Sequence, residues 1–211
     1  MSRTENSRMK VRFASSLFLL LMLVSGIAAH ADILYNNGIG SEFLDMWDIS
    51  SNAAVSNQFT CSFAFCNTQT LEFDATYPGG TFPTKVNWSI TSSPFGGTTY
   101  GSGTSQLPLF YACDPDGIVC LFDVNFASTL AGGTYYLNLT GVDGSLEWDT
   151  TSNPLNGNNA YYKDQNGVLT SNIPGQGFKI LGTSTPEPGS ILLFGSGVLG
   201  VAGVLRRRFL S

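Results

Sequence analysis

Apolar and polar residues alternate with a period of two through much of the middle of the chain. The alternation is clearest in four segments, Leu71–Tyr77, Lys85–Ile90, Phe122–Phe126 and Tyr135–Thr140. Successive side chains of a β-strand point to opposite faces of the sheet, so each segment predicts a strand with one buried face. Helical periodicity does not recur in this region, which predicts an all-β body.

Weaker alternation predicts six further short strands, which are Ile33–Tyr35, Gln58–Thr60, Thr98–Thr104, Leu146–Asp149, Asn159–Tyr162 and Gly177–Leu181. Gly-rich or Asn-Gly turn signals separate many of the strands, for example Gly96-Gly97, Gly132-Gly133 and Asn166-Gly167. About ten short strands, each with one apolar face, predict an antiparallel β-sandwich. A jelly roll is the predicted topology, and an immunoglobulin-like sandwich is the alternative.

The N-terminus departs from this pattern. Four basic residues precede the apolar stretch Phe13–Ile27, and the small residues Ala29 and Ala31 flank His30. A basic start, an apolar run and a small-x-small site predict a signal peptide over residues 1–31, with Asp32 as the mature N-terminus. An uncleaved membrane anchor is the alternative, and translation from Met9 would keep the same signal.

The C-terminus carries a second apolar run. Gly189–Leu205 contains no charged residue, and as a helix it would be about 26 Å long at ~1.5 Å per residue, just short of the ~30 Å hydrocarbon core. Three arginines, Arg206, Arg207 and Arg208, follow directly. Clustered arginine marks the cytoplasmic side of a membrane, so the body is predicted to lie on the opposite side. The predicted transmembrane helix spans residues 188–205. A buried core helix is disfavoured because the run has no polar face.

The motif Pro186-Glu187-Pro188, followed at once by this glycine-rich run and the arginine cluster, resembles the PEP-CTERM sorting signal. That signal occurs on exported proteins of Gram-negative bacteria that make extracellular polysaccharide. The resemblance covers residues 186–211 and implies that an exosortase, a membrane protease-transpeptidase, recognises Pro-Glu-Pro and cuts near it. The chain would then be a transient membrane protein that is released, or transferred to another anchor, at the cell surface or in the extracellular matrix.

The implied organisation is a signal peptide (1–31), a body (32–181), a flexible linker (182–185) and a sorting signal (186–211). Within the body, the stretches ILYNNG, VNWSI, AGGTYYLNL and EWD resemble segments of exported PEP-CTERM β-sandwich proteins without assigned activity. This looser resemblance adds no catalytic residue.

Charge and histidine content exclude several function classes. The body keeps all 15 acidic residues of the chain except Glu5 and Glu187, but only three of the ten basic residues. Such a body repels nucleic acid, so no nucleic-acid partner is predicted. The single histidine, His30, leaves with the signal peptide. Catalysis by Ser-His-Asp or Cys-His and zinc binding through histidine are therefore excluded from the mature body.

All four cysteines lie in the exported body, at Cys61, Cys66, Cys113 and Cys120. An even number in an oxidising compartment predicts two disulfides, and four cysteines allow three pairings. The favoured pairing joins Cys61 to Cys66 and Cys113 to Cys120, because a turn sequence lies between the second pair. The first pair requires the chain between its cysteines to loop out, since a straight strand would hold them about 16 Å apart.

Candidate chemistry in the body is limited to aromatic and acidic side chains. Trp148, Tyr161 and Tyr162 are predicted as possible glycan contacts, although aromatic residues also fill cores. Glu147 and Asp149 share one strand face, as two glycosidase carboxylates would. Acidic pairs such as Asp45 and Asp48 fit no complete calcium-loop template, and neither a metal nor a cofactor is predicted.

The predicted function is a non-enzymatic, exosortase-sorted surface or matrix protein associated with exopolysaccharide. The first alternative is a carbohydrate-binding module that recognises the cell's own exopolysaccharide. An extracellular glycan hydrolase is the least favoured alternative, because no acid/base pair stands out.

Overall fold

The computed structural model describes residues 32–38, 45–50, 52–78, 83–107, 113, 119–141, 143–151, 160–185 and 195–197. They form ten strands, which are β1 (Asp32–Asn36), β2 (Met46–Asp48), β3 (Ala54–Thr76), β4 (Lys85–Ser93), β5 (Gly96–Gln106), β6 (Val119–Gly141), β7 (Glu147–Asp149), β8 (Ala160–Lys163), β9 (Leu169–Ile173) and β10 (Phe178–Thr185). Every strand pairing is antiparallel. The all-β, antiparallel prediction is therefore confirmed.

Two long strands organise the sheet. β3 and β6 have 23 residues each and pair with each other from end to end. The strand order is β1-β10-β3-β6-β4-β5, while β7 and β8 pair with the two ends of β3 and carry β2 and β9 on their outer edges. The predicted sandwich of two separate sheets is not confirmed, because hydrogen bonds connect all ten described strands into one sheet.

Side chains from distant parts of this sheet nevertheless meet. Tyr35 of β1 lies beside Ile180 of β10, which in turn pairs with Leu71 of β3. Phe59 is twelve residues before Leu71, about 40 Å away along an extended strand. The rings of Tyr35 and Phe59 are nonetheless 5.8 Å apart. The long β3–β6 ribbon must therefore bend between Phe59 and Leu71, so that its two halves face each other.

An irregularity in β3 lies within this interval. Cys61 pairs with Gly133 and Phe65 with Ala131, so three residues of β3 oppose the single residue Gly132 of β6. The Cys61–Cys66 disulfide spans the irregularity with a Cα–Cα distance of 6.1 Å. The prediction that the chain loops out between these cysteines is confirmed. We call Cys61–Cys66 the disulfide loop.

The core lies between the two halves of the ribbon. The buried positions follow the predicted alternation and include Leu71, Phe73, Val86, Trp88, Ile90, Phe122, Val124, Phe126, Leu137 and Leu139. The backbone of Trp88 pairs with Leu139, but its ring lies 4.8 Å from that of Phe126 in the other half of β6. Aromatic side chains therefore hold the two halves together.

Both predicted disulfide pairings are confirmed. Cys113 is bonded to Cys120 with a Cα–Cα distance of 4.0 Å, and no cysteine of the chain is free. The turn sequence predicted between these two cysteines lies outside the described residues.

The predicted linker, residues 182–185, is wrong in structural terms because these residues are the last four of β10. Gly182, Thr183, Ser184 and Thr185 pair with β3 as far as Phe65. A side chain at position 182 would collide with the carbonyl oxygen of Asn67, so glycine is what allows the strand to continue here. Glycine that suggested flexibility in the sequence instead allows a close backbone approach.

The predicted signal peptide (1–31, including Ala29 and Ala31), the motif Pro186-Glu187-Pro188, and Arg206, Arg207 and Arg208 lie outside the described residues. The same holds for most of the predicted span 188–205. Residues 195–197 are helical. Among the described residues, no helix has the length and apolar character needed to span a membrane.

Candidate functional site

The antiparallel pair β2–β7 brings acidic and aromatic side chains close together. Trp47 lies opposite Trp148, and Asp48 lies opposite Glu147. On its other side, β7 pairs with the end of β3 through Ala75. Residues opposite each other in an antiparallel pair point to the same face, so the two tryptophans share one face and the two carboxylates share the other.

Trp148 is completely buried. Its ring contacts Phe73 and Phe178, with centroid distances of 6.1 Å and 5.7 Å. Its indole N–H donates a hydrogen bond to the carbonyl oxygen of Gly177 at 3.0 Å. A sugar cannot stack on this ring, so the prediction of Trp148 as a glycan contact is wrong. Strand alternation separates Trp148 from Glu147 and Asp149, but it does not show that the face of Trp148 is covered by Phe178 of β10.

Trp47 is only partly buried and packs at the margin of the core. Its ring centroid lies 5.0 Å from that of Tyr162 on β8, and the two rings are tilted by 52°. The sequence pattern does not identify Trp47 as a site residue, because its partner Tyr162 is more than one hundred residues away in the chain. We call these two rings the Trp47 patch. Asp48 and Glu147 lie on the other face of β2 and β7, where Gln165 reaches Asp48.

The polar groups on the carboxylate face of β2 and β7 are held in defined positions. Asp48 accepts hydrogen bonds from the backbone N–H of Ser50 at 2.7 Å and from Nε2 of Gln165 at 3.4 Å. Burial, followed by the negative charge of Asp48, raises the pKa of Glu147. Burial also raises the pKa of the Tyr162 phenol, with further contributions from Asp48 and Asp164. The carboxylate of Asp48 thus lies close enough to influence both groups.

The turn between β8 and β9 positions Gln165. Asp164 accepts hydrogen bonds from the backbone N–H groups of Asn166 and Val168 at 2.9 Å and 2.7 Å. Gly167 has a φ of 83°, a left-handed conformation that favours glycine. This confirms the turn predicted from Asn166-Gly167, and it presents Gln165 toward Asp48.

Tyr161 and Tyr162 do not act together. They are neighbours on β8 and therefore point to opposite faces of the sheet. Tyr161 contacts Tyr136 with a centroid distance of 6.0 Å, away from the Trp47 patch. Of the three aromatic residues predicted to contact a glycan, only Tyr162 lies in the patch.

The remaining acidic candidates have other surroundings. Asp149 is fully buried, and loss of hydration raises its pKa to about 6, an effect that the Thr150 backbone partly offsets. It is therefore not available beside Glu147, as a hydrolase pair would require. Hydrogen bonds from the side chain and backbone of Thr84 lower the pKa of Asp143. Within the described part of the chain, no cluster of three or more His, Cys, Asp or Glu residues is arranged to hold a metal ion.

Comparison with known proteins identifies the C-terminal segment. Residues 184–208 match the model of the PEP-CTERM protein-sorting motif. This match includes Pro186-Glu187-Pro188 and all three terminal arginines, and it confirms the resemblance seen in the sequence. The motif implies export, exosortase processing and a transient membrane anchor before sorting to the cell surface.

The other comparisons add little. No curated protein matches the chain. A solved structure described as "Structure of black queen cell virus" is similar at 10% sequence identity and a TM-score of 0.20, over 75% of this chain. The chain covers 65% of that structure's chain, slightly less than two thirds of its length. This similarity is too weak to indicate a shared fold.

Proposed function

We propose that this chain, which carries a PEP-CTERM sorting motif, is an exosortase substrate whose body is a non-catalytic, exopolysaccharide-associated component of the cell surface or extracellular matrix. The observation that carries the proposal is the motif itself, at residues 184–208. The two disulfides agree with this destination, because such bonds form and persist outside the cytosol.

The Trp47 patch supports the association with polysaccharide. Sugar rings offer C–H faces that pack on aromatic rings and hydroxyl groups that need polar partners. Trp47 and Tyr162 supply the rings, and the Tyr162 hydroxyl, which the charge of Asp48 influences, supplies a polar partner. An aromatic surface with a few oriented polar groups is the usual composition of a small-molecule site.

A hydrolase remains the rival function, on the other face of β2 and β7. Asp48 and Glu147 lie opposite each other, and the raised pKa of Glu147 suits a general acid. Against catalysis, Asp48 already accepts two hydrogen bonds, from Ser50 and Gln165, and these restrain it from acting as nucleophile or base. The proposal therefore assigns the patch to binding.

Processing is tested with the full chain in a host that contains an exosortase. Glu187→Ala keeps the apolar run and both prolines but removes the acidic side chain of the motif. We expect this variant to insert normally and to accumulate unprocessed in the membrane, as seen in its intact mass. Replacing Arg206, Arg207 and Arg208 with alanine is the comparison, and it should disturb orientation or retention instead. Normal processing of Glu187→Ala would contradict motif recognition.

Polysaccharide binding is tested by co-sedimentation of the processed protein with the exopolysaccharide of its own host. Trp47→Ala combined with Tyr162→Ala should reduce the bound fraction strongly. Tyr161→Ala is the matched control, because it removes a neighbouring ring on the opposite face of β8. Equal loss in both variants would contradict the Trp47 patch as the binding surface. Release of reducing sugar that Glu147→Gln abolishes would favour the hydrolase.

A further inference from the structure

Four of the seven exposed large hydrophobic side chains among the described residues lie at one end of the body; the others are Met46, Val168 and Leu169. Phe63 and Phe65 of the disulfide loop are 36% and 50% exposed, and Ile33 of β1 is 55% exposed. Tyr100, which is 45% exposed, contacts Tyr135 of β6 close to the same end. Neither the polysaccharide proposal nor the packing of the core explains why these side chains face outward.

Both ends of the body leave from this same region. Thr185, the last residue of β10, pairs with Phe65 of the disulfide loop. Asp32, the first residue of β1, pairs with Gly182, three residues before Thr185. The signal peptide before Asp32 and the sorting signal after Thr185 therefore both connect at the end that carries the exposed apolar side chains.

The segment that connects this end of the body to the predicted membrane span is short. Only four residues, Pro186 to Gly189, lead from Thr185 to the start of the apolar run. At no more than ~3.6 Å per residue, they span at most about 14 Å. Because Thr185 is paired with Phe65, the disulfide loop is held within roughly that distance of the point where the chain enters the bilayer.

We propose that the disulfide loop inserts Phe63 and Phe65 into the interfacial region of the bilayer while the sorting signal anchors the chain. Phenylalanine is among the apolar side chains that bury at the boundary between headgroups and acyl chains. The tether keeps the loop at a high effective concentration near the lipid, so two side chains suffice for contact.

The disulfide loop is constrained and uncharged, and both properties favour contact with a lipid surface that has no net charge. The Cys61–Cys66 bond constrains the loop, and Gly132 lacks the side chain that would press on the carbonyl oxygen of Phe63. No residue between Cys61 and Cys66 is charged. The acidic body disfavours anionic lipid, so the partner is the zwitterionic headgroup region. Exosortase would then meet Pro-Glu-Pro directly at the bilayer surface, beside a folded strand.

The test uses the full chain in phosphatidylcholine vesicles, made either with ordinary or with brominated acyl chains, which quench tryptophan. Phe65→Trp places a reporter in the disulfide loop. Val168→Trp is the matched control, because Val168 is 62% exposed in the β8–β9 turn, near the end of β3 that begins with Ala54. The native tryptophans give the same background in both variants. Mapping of the two disulfides confirms that each variant is folded, and Phe63→Trp provides a second reporter.

We expect brominated lipid to reduce the emission of Phe65→Trp beyond the loss seen in the unsubstituted chain, and to leave Val168→Trp at that background. Background quenching of both loop reporters in chains that float with the vesicles would overturn the proposal while leaving the anchor intact. Failure of the chain to float would overturn the anchor and the proposal together. A change in the emission of the loop reporters that depends on the amount of protein per vesicle, and not on bromination, would indicate contact with a second copy of the chain. That result would also overturn the proposal.

Discussion

Trp47 and Trp148 lie opposite each other on neighbouring strands and face the same side of the sheet, yet their surroundings differ. Trp148 is fully buried, with its N–H bonded to Gly177. Trp47 is partly exposed, and its N–H has no hydrogen-bond partner among the described residues. The difference follows from position in the sheet, because β7 lies between β2 and β3 whereas β2 pairs only with β7 among the described strands.

The comparison shows how one strand position separates a structural residue from a candidate binding residue. On β7, the ring is enclosed by Phe73 and Phe178. On β2, the ring has Tyr162 beside it and solvent at its margin. Substitutions on β7 should therefore affect folding, and those on β2 should affect mainly what the surface binds.

The largest expected effect comes from Trp148→Ala, which should reduce the free energy of unfolding by about 3–5 kcal/mol, as is typical of a large aromatic residue removed from a core. Trp148→Phe keeps much of the ring volume and should cost less, mainly through loss of the bond to Gly177. Urea denaturation of the processed protein measures both. A loss below about 1 kcal/mol for Trp148→Ala would contradict the enclosed position of this ring.

The second prediction extends the comparison to a charge on the same strand. Asp149 has a folded pKa of about 6, above its ordinary value of 3.8, so ionisation opposes folding at neutral pH. The unsubstituted protein should gain stability as the pH falls from about 7 to 4. Asp149→Asn, which resembles the protonated acid, should be more stable at pH 7 by up to about 3 kcal/mol, at ~1.4 kcal/mol per pKa unit. This advantage should disappear near pH 4.

Asp143→Asn is the control for that prediction, with the opposite sign. The pKa of Asp143 is lowered by hydrogen bonds from Thr84, so its charged form contributes stability at neutral pH. That contribution is lost as the pH falls through the lowered pKa. Between pH 7 and 4 the advantage of Asp149→Asn should therefore disappear, whereas the deficit of Asp143→Asn should stay nearly constant and be lost only as the pH falls below the ordinary value of 3.8. Parallel curves would show that Asp149 is hydrated in solution.

The third prediction concerns the Cys61–Cys66 disulfide, whose contribution to stability can be compared with those of the two tryptophans. Replacing Cys61 and Cys66 with serine should cost about 2 kcal/mol, as expected for a short closed loop. The measured loss should lie between those of Trp148→Ala and Trp47→Ala. If the double variant failed to fold at all, the loop would be a determinant of the bend in β3, rather than a constraint added to it.

The smallest effect on stability is expected from Trp47→Ala, about 1 kcal/mol, because the ring is only partly buried. The same variant should show the large loss in polysaccharide binding described above. A destabilisation as large as that of Trp148→Ala would mean that the two rings are equivalent and that Trp47 belongs to the core.

Sequence alone was sufficient for the strand alternation, the disulfide pairing and the sorting motif. A period of two follows from strand geometry, and it correctly assigned buried positions such as Phe73, Trp88 and Val124. The cysteine spacing predicted both disulfides. The sorting motif is a short linear signal, so it could be identified without any tertiary structure.

Only the tertiary structure decided which strands pair closely and which side chains a distant strand covers. Gly132-Gly133, predicted as a turn, lies inside β6, because Gly132 accommodates the carbonyl oxygen of Phe63 from the opposing strand. Gly182–Thr185 extends β10 for a similar reason. The enclosure of Trp148 and the pairing of Trp47 with Tyr162 depend on strands far away in the chain. Local periodicity shows which way a side chain points, whereas its burial is decided by the distant strand that covers it.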